Sequence, residues 1–297
     1  MRPSVSITGF GKPLADKSVD VMPGTPITVE ADNGRLTSAQ VTGADGPVPG
    51  TMSADGTTWV SKGPLAFGES YTVVAAAGGM GGVVDSTIAF TTAQPTNLTD
   101  AYLLPDNGET VGIGQPVAIQ FDEPIPDRKA AQNAITVRTD PPVEGAFYWI
   151  SDTEVRWRPE HFWASGTKVH VDVNAQGINL GDGLFGDNNL SSDFTIGRAF
   201  VATADDATKT ISVSVGGKVV KTMPTSMGKD STPTNNGIYI VAERVDSVIM
   251  DSSTYGVAVN SPEGYKEVVY DASRISYSGI YVHAAPWSLG DQGVDDV

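Results

Sequence analysis

Within its first 197 residues the chain states one pattern twice. GTPITVE at residues 24–30 is echoed by GQPVAIQ at residues 114–120, an offset of 90. Trp59 ahead of Tyr71, Thr72 and Val73 is echoed by Trp157 ahead of Val169, His170 and Val171, an offset of 98. AFTT at residues 89–92 is echoed by DFTI at residues 193–196, an offset of 104. Offsets that grow by a few residues describe one duplicated unit with short loop insertions in its second copy. A unit of ~100 residues has the size of an immunoglobulin-like β-sandwich. The strand signal agrees. Val5 and Ile7 alternate with serines, Ile27 and Val29 with Thr28 and Glu30, Val117, Ile119 and Phe121 with Ala118 and Gln120, which is the period of a half-buried strand. Gly, Pro, Asn and Asp clusters between them read as turns, and long helical periodicity is absent. The reading is a mainly β chain with tandem sandwiches at residues 1–94 and 95–197, linked through AQPTNLTD at residues 93–100. Trp59 and Trp157 belong to their cores.

Composition excludes several classes of function. The chain has no cysteine, hence no disulfide scaffold, no thiolate zinc site and no cysteine nucleophile among these residues. Its net charge of −16 divides into −3, −9 and −4 over residues 1–94, 95–197 and 198–297. A surface acidic throughout repels a phosphate backbone, so no nucleic-acid partner is expected. No apolar run approaches the ~20 residues of a membrane span, and MRPSVSITGF lacks a signal-peptide core. No cofactor or metal is expected. The three histidines lack ligand spacing, HExxH is absent, and GDGLFGDNN at residues 181–189 lacks the terminal Glu of an EF-hand. GGMGG at residues 78–82 opens no helix and precedes no Lys-Ser/Thr, and GxSxG does not occur.

The grammar changes near Arg198. A strand, a turn at residues 205–208, a strand at 211–215, the Gly216-Gly217 turn and a strand at 218–222 form a hairpin series. GIYIVAE and DSVIMDS read as further strands. The polar stretch 251–270 reads as a loop carrying Tyr255, Tyr265 and Tyr270. These rings either cover a ligand or pack on their own domain. His161 and His170 read as structural or surface residues. His283, at a strand end before the Pro286-Trp287 turn, either touches a ligand or caps the strand.

Three strings carry a resemblance: MPTSMGKDSTPTNNGIYIV at residues 223–241, IMDSSTYGVAVNSPEGY at 249–265 and ISYSGIYVHAAPWS at 275–288. They resemble the catalytic domain of peptidoglycan L,D-transpeptidases, the YkuD family, of the mycobacterial type with two immunoglobulin-like domains ahead of it. The resemblance implies a catalytic β-domain at residues 198–297. It implies an acyltransferase in which a cysteine attacks the third residue of a tetrapeptide stem, D-Ala leaves, and an amine of a second stem completes a 3→3 cross-link. A thiolate suits this step because a neighbouring histidine makes it available near neutral pH, and backbone N–H groups stabilise the oxyanion. Peptidoglycan stem peptides are the implied partners, and β-lactams of the carbapenem class acylate the complete enzyme.

Carried onto this sequence, Met250, Tyr255 and Tyr265 line the donor-peptide pocket and its lid, His283 is the pocket histidine ahead of the nucleophile motif, and Trp287 stands at the pocket mouth. His283 is not the implied catalytic base. Ala284 stands where relatives can carry serine, so no hydroxyl contact is carried over there. The nucleophile motif SHGCxN or SHGCxR is absent, and GDQGVDDV follows the PWS turn. The expectation is therefore an incomplete catalytic domain, inactive as given, with exposed apolar surface and an unpaired sheet edge. The family substrate places the whole protein outside the cytoplasm, in the cell wall or periplasmic space, with membrane contact only through an N-terminal anchor absent from this sequence. The alternatives are a cell-surface immunoglobulin-like adhesion protein, or a pseudoenzyme that holds stem peptides through Tyr255, Tyr265 and His283.

Overall fold

A computed structural model describes residues 1–9, 11–24, 26–228, 233–288, 290 and 292–293. Thr25 of the first repeat, residues 229–232 of the first family-like string and residues 289, 291 and 294–297 lie outside the described residues.

The duplication is visible in the strand order. In the first copy one sheet runs Lys12–Pro13, Ser4–Gly9, Ile27–Asp32, Thr58–Ser61, Gly50–Met52. Its companion runs Ser18–Val21, Gly82–Thr92, Ser70–Gly79, Arg35–Gly43, Gly46–Val48. The second copy repeats four strands of each: Ala101–Leu104, Val117–Phe121, Glu154–Pro159, Gly145–Trp149, and Thr110–Val111, Asn189–Ile196, Lys168–Asn174, Ile135–Asp140. Ser18–Val21 pairs in parallel with Gly82–Thr92, and Thr110–Val111 pairs in parallel with Asn189–Ile196. All other described pairings within the first sandwich are antiparallel. Sandwiches with this mix bury alternate residues of each strand against the facing sheet.

Burial follows the alternation read from the sequence. Ile27, Val29 and Ala31 are buried while Glu30 and Asp32 face solvent, and Val169, Val171 and Val173 are buried in the same rhythm. The first core adds Val41, Leu65, Val73 and Phe90, with Tyr71 stacked on Phe90 at 5.6 Å between ring centroids. Trp59 and Trp157 are both buried. One short helix, Arg128–Asn133, breaks the all-strand expectation. Asp127 caps it by accepting a hydrogen bond from the Ala130 N–H at 2.9 Å, an N-terminal signal legible in the residues themselves.

Met1–Glu109, Val117–Arg158 and Val169–Phe194 form one compact unit; Thr110–Pro116, Pro159–Lys168 and Thr195–Val297 form another. The second unit holds two three-stranded antiparallel sheets. Phe200–Asp205, Thr210–Val215 and Lys218–Pro224 form the first. Gly216 and Gly217, at φ 57° and 79°, make its two-residue turn, a conformation that requires φ > 0 at both central positions. Glu243–Asp251, Lys266–Arg274 and Tyr281–Ala284 form the second.

Two sequence readings are corrected here. GIYIVAE is not a strand before Glu243: the ladder begins where Glu243 meets Arg274, and Ile238 is exposed. Its β-branched residues favour extended backbone, but a strand also needs a paired neighbour. The loop read at residues 251–270 is shorter, because Lys266–Arg274 is a strand and Tyr270 stands in its middle, opposite Ser247 and Ala284.

Candidate functional site

The second sheet of this unit has two unlike faces. Along Glu243–Asp251 the partly buried residues are Val245, Val248, Met250 and, at the strand end, Asp251; along Lys266–Arg274 the buried ones are Val269 and Ala272. The spacing changes parity because Asp271 takes φ 50° at a bulge between Tyr270 and Ser273. On Tyr281–Ala284 the less exposed residues are Tyr281 and His283. Pairing of Arg274 with Tyr281 and of Met250 with Glu267 carries one face across all three strands. Met250 and His283 therefore share the inner face. Ile249, Val268, Tyr270 and Val282 lie on the opposite face and are exposed.

The hairpin tip between Asp251 and Lys266 carries two further candidates. Tyr255 and Tyr265 stand with ring centroids 6.2 Å apart, planes tilted by 51°. They are 58% and 39% exposed, aromatic surface left open at a loop. Burial, then a hydrogen bond between the two tyrosine hydroxyls, pushes the Tyr265 phenol up to about 12, so it stays protonated at any physiological pH.

The base of this loop is tied. Asp251 accepts hydrogen bonds from the N–H and hydroxyl of Ser253, capping the short helix Ser252–Tyr255. Its other oxygen pairs with Lys266 Nζ at 2.8 Å. Lys266 first, and then Ser253, lower the Asp251 carboxyl to about 2. Ser252 is fully buried between them. Sequence reasoning passed over Ser252. The signal that marks it is the Asp-Ser-Ser run at a strand end, the usual start of a capped turn.

His283 and Trp287 form a second aromatic pair, stacked at 6.1 Å with 24° between planes. Trp287 sits in the helical turn Pro286–Ser288. His283 Nδ1 lies 3.1 Å from the Ala284 carbonyl. The structure thus gathers the five sequence candidates into two aromatic pairs and one sheet face, all on or next to one three-stranded sheet.

The other candidates fall elsewhere. His170 bridges two carboxylates on the outer side of the second sandwich: Nδ1 lies 2.7 Å from Asp193 Oδ1 and Nε2 lies 3.1 Å from Asp172 Oδ1. Arg138 donates to the other Asp172 oxygen at 2.7 Å. Contact with Asp193, and then with Asp172, raises the affinity of His170 for its proton. His161 is exposed. Among the described residues no group of three or more His, Cys, Asp or Glu could hold a metal ion, and no helix is long and apolar enough to cross a membrane. A cavity of about 220 Å³ lies in the first sandwich, lined in part by Asp45, Pro47, Lys62, Glu69 and Tyr71. It contains none of the candidates and is smaller than the ~300 Å³ of small ligand sites.

In the chain, a three-stranded sheet with an aromatic hairpin tip follows two β-sandwiches of like strand order. Residues 18–179 match the bacterial Ig domain family, and residues 199–295 match the L,D-transpeptidase catalytic domain family. L,D-transpeptidase 2 of Mycobacterium tuberculosis is 53% identical over 281 residues, covering 94% of this chain and 69% of that protein. A structure of L,D-transpeptidase 3 from the same organism, in complex with a faropenem-derived adduct, superposes with TM-score 0.55 at 36% identity, over 66% of this chain and 85% of that one. An LD transpeptidase solved with imipenem superposes with TM-score 0.57 at 35% identity, over 65% of this chain and 84% of that one. The chain belongs to the L,D-transpeptidase family.

Proposed function

We propose that this chain is the stalk and donor-peptide-binding part of an L,D-transpeptidase that forms 3→3 cross-links between peptidoglycan stem peptides. The observation that carries the reading is the single sheet face shared by Met250 and His283, on a sheet whose hairpin tip bears the Tyr255–Tyr265 pair. An apolar thioether, a phenol pair and a stacked imidazole–indole pair form a surface suited to an extended peptide, with polar groups few enough to fix its orientation.

In the reaction, a thiolate adds to the carbonyl carbon at the third stem residue. The terminal D-Ala leaves with a proton, and a thioester remains. The amine of a second stem then attacks it, the new amide forms and the thiol returns. These 297 residues contain no cysteine, so they bind and orient the donor without supplying the thiolate, and on their own they are inactive. Met250, Tyr255, Tyr265 and His283 line the donor groove, and Trp287 stands at its mouth. β-Lactams of the carbapenem and penem type enter the same groove, a reading supported by relatives solved with imipenem and with a faropenem-derived adduct. The domain division is 1–94, 95–197 and 198–297, the first two acting as a spacer that holds the third in the wall, outside the cytoplasm.

The test is titration of the chain with a synthetic tetrapeptide stem, followed by NMR. The expected result is saturable shifts at Tyr255, Tyr265, His283 and Trp287, weakened by His283→Ala and Tyr255→Ala. Saturable shifts confined to residues 1–197 support the adhesion reading and overturn this one.

A further inference from the structure

We infer that Ser252 is a positioning residue, which ties the loop carrying Tyr255 and Tyr265 into the geometry that receives a stem peptide. The inference rests on the stem-peptide reading above.

Ser252 is 0% exposed, and every polar group it has is used. Its N–H donates to the Tyr265 carbonyl at 3.0 Å. Its Oγ accepts from the Tyr265 N–H at 3.0 Å and donates to the Val257 carbonyl at 3.0 Å. Its own carbonyl accepts from the Val257 N–H at 3.1 Å. One side chain thus joins the two ends of a 14-residue loop, residues 252–265, to its middle. The outer tie, Asp251 with Lys266, is a surface ion pair that water and salt weaken. The Ser252 knot is out of water, where a satisfied hydroxyl is stable and an orphaned N–H or carbonyl is costly. Tyr265 is held through its backbone at this knot, and Tyr255 is three residues beyond Ser252 in the same helical turn. The two ring positions are therefore set by the serine, while the rings themselves remain open to a ligand.

Three chains decide the matter: the 297-residue protein, Ser252→Ala, and Ser252→Cys under reducing conditions. Cysteine keeps the unbranched shape, slightly enlarged, with a weaker donor and acceptor. Two quantities are read on each, amide hydrogen exchange by mass spectrometry and the Kd of a synthetic tetrapeptide stem by NMR titration. In Ser252→Ala, exchange within residues 252–265 should rise by at least about tenfold, the effect of losing the two buried hydrogen bonds of Oγ, with residues 243–251 and 266–274 unchanged. The Kd should rise about tenfold alongside it. Ser252→Cys should fall between the two, and it carries the comparison if the alanine variant does not fold. Unchanged exchange in the loop overturns the inference, and so does faster loop exchange with an unchanged Kd. A wild-type chain that binds no tetrapeptide overturns the stem-peptide reading instead, and exchange alone then decides whether Ser252 holds the loop.

Discussion

The indole of Trp157 lies over Gly145 of the neighbouring strand, so closely that a Cβ at Gly145 would stand 2.6 Å from Trp157 Cη2. Trp59 repeats the arrangement over Gly50, with Cη2 at 2.8 Å from the equivalent position. The two copies have kept a tryptophan–glycine pair that neither partner can leave alone. Gly145→Ala and Gly50→Ala should each cost about 2 kcal/mol, the range of overpacked cores. Thermal melts followed by tryptophan fluorescence check this, and an unchanged midpoint with an unchanged emission maximum refutes it.

His170 carries a raised proton affinity between Asp193 and Asp172. A group whose folded pKa exceeds its unfolded value near 6.5 stabilises the fold fully below that unfolded value. The contribution fades as pH rises through the folded pKa. Stability of the second sandwich should therefore decline on the alkaline side of 6.5, and His170→Gln should flatten that limb. Urea titrations at several pH values from 5 to 9, wild type beside variant, provide the measurement; identical slopes would contradict the assignment.

Tyr265 should ionise near 12, because burial and the Tyr255 hydroxyl both favour its neutral form. Tyr255→Phe removes the second cause and should bring Tyr265 back toward 10 without reaching it. Phenolate absorbance with a Tyr265→Phe control identifies the step. No change of the titration in Tyr255→Phe argues against the hydroxyl pair.

Incubation of the 297-residue chain with imipenem should leave its mass unchanged, since no thiol is present to open the lactam. Intact mass spectrometry reads this directly. A covalent adduct at stoichiometric yield means that another side chain is nucleophilic and that the assignment of roles is wrong.

Much of the fold was legible because strands that bury one face must alternate. Residues 27–31, 117–121 and 169–173 alternate in sequence and in burial alike. The duplication added topology, since two copies of one pattern take one strand order. GIYIVAE misled for the opposite reason: its β-branched residues describe a strand, yet among the described residues only Glu243 at its end joins a ladder. Tyr270 was read into a loop because its surroundings are polar, although the register with Ser247 and Ala284 holds it in a sheet.

The sequence by itself determined the class of protein: tandem sandwiches from a repeat, an L,D-transpeptidase domain from three strings, and no thiolate from the absence of cysteine. Tertiary structure alone decided the site's geometry. The bulge at Asp271 shifts strand parity, so Val269 and Ala272 come to share one face and Met250 comes to share it with His283. A single positive φ does this, and no local pattern announces it. Ser252 was decided the same way. Its residue type is ordinary, and its role arises only when the chain returns at Tyr265 and removes its hydroxyl from water, because the strength of a hydrogen bond depends on the burial that the rest of the fold supplies.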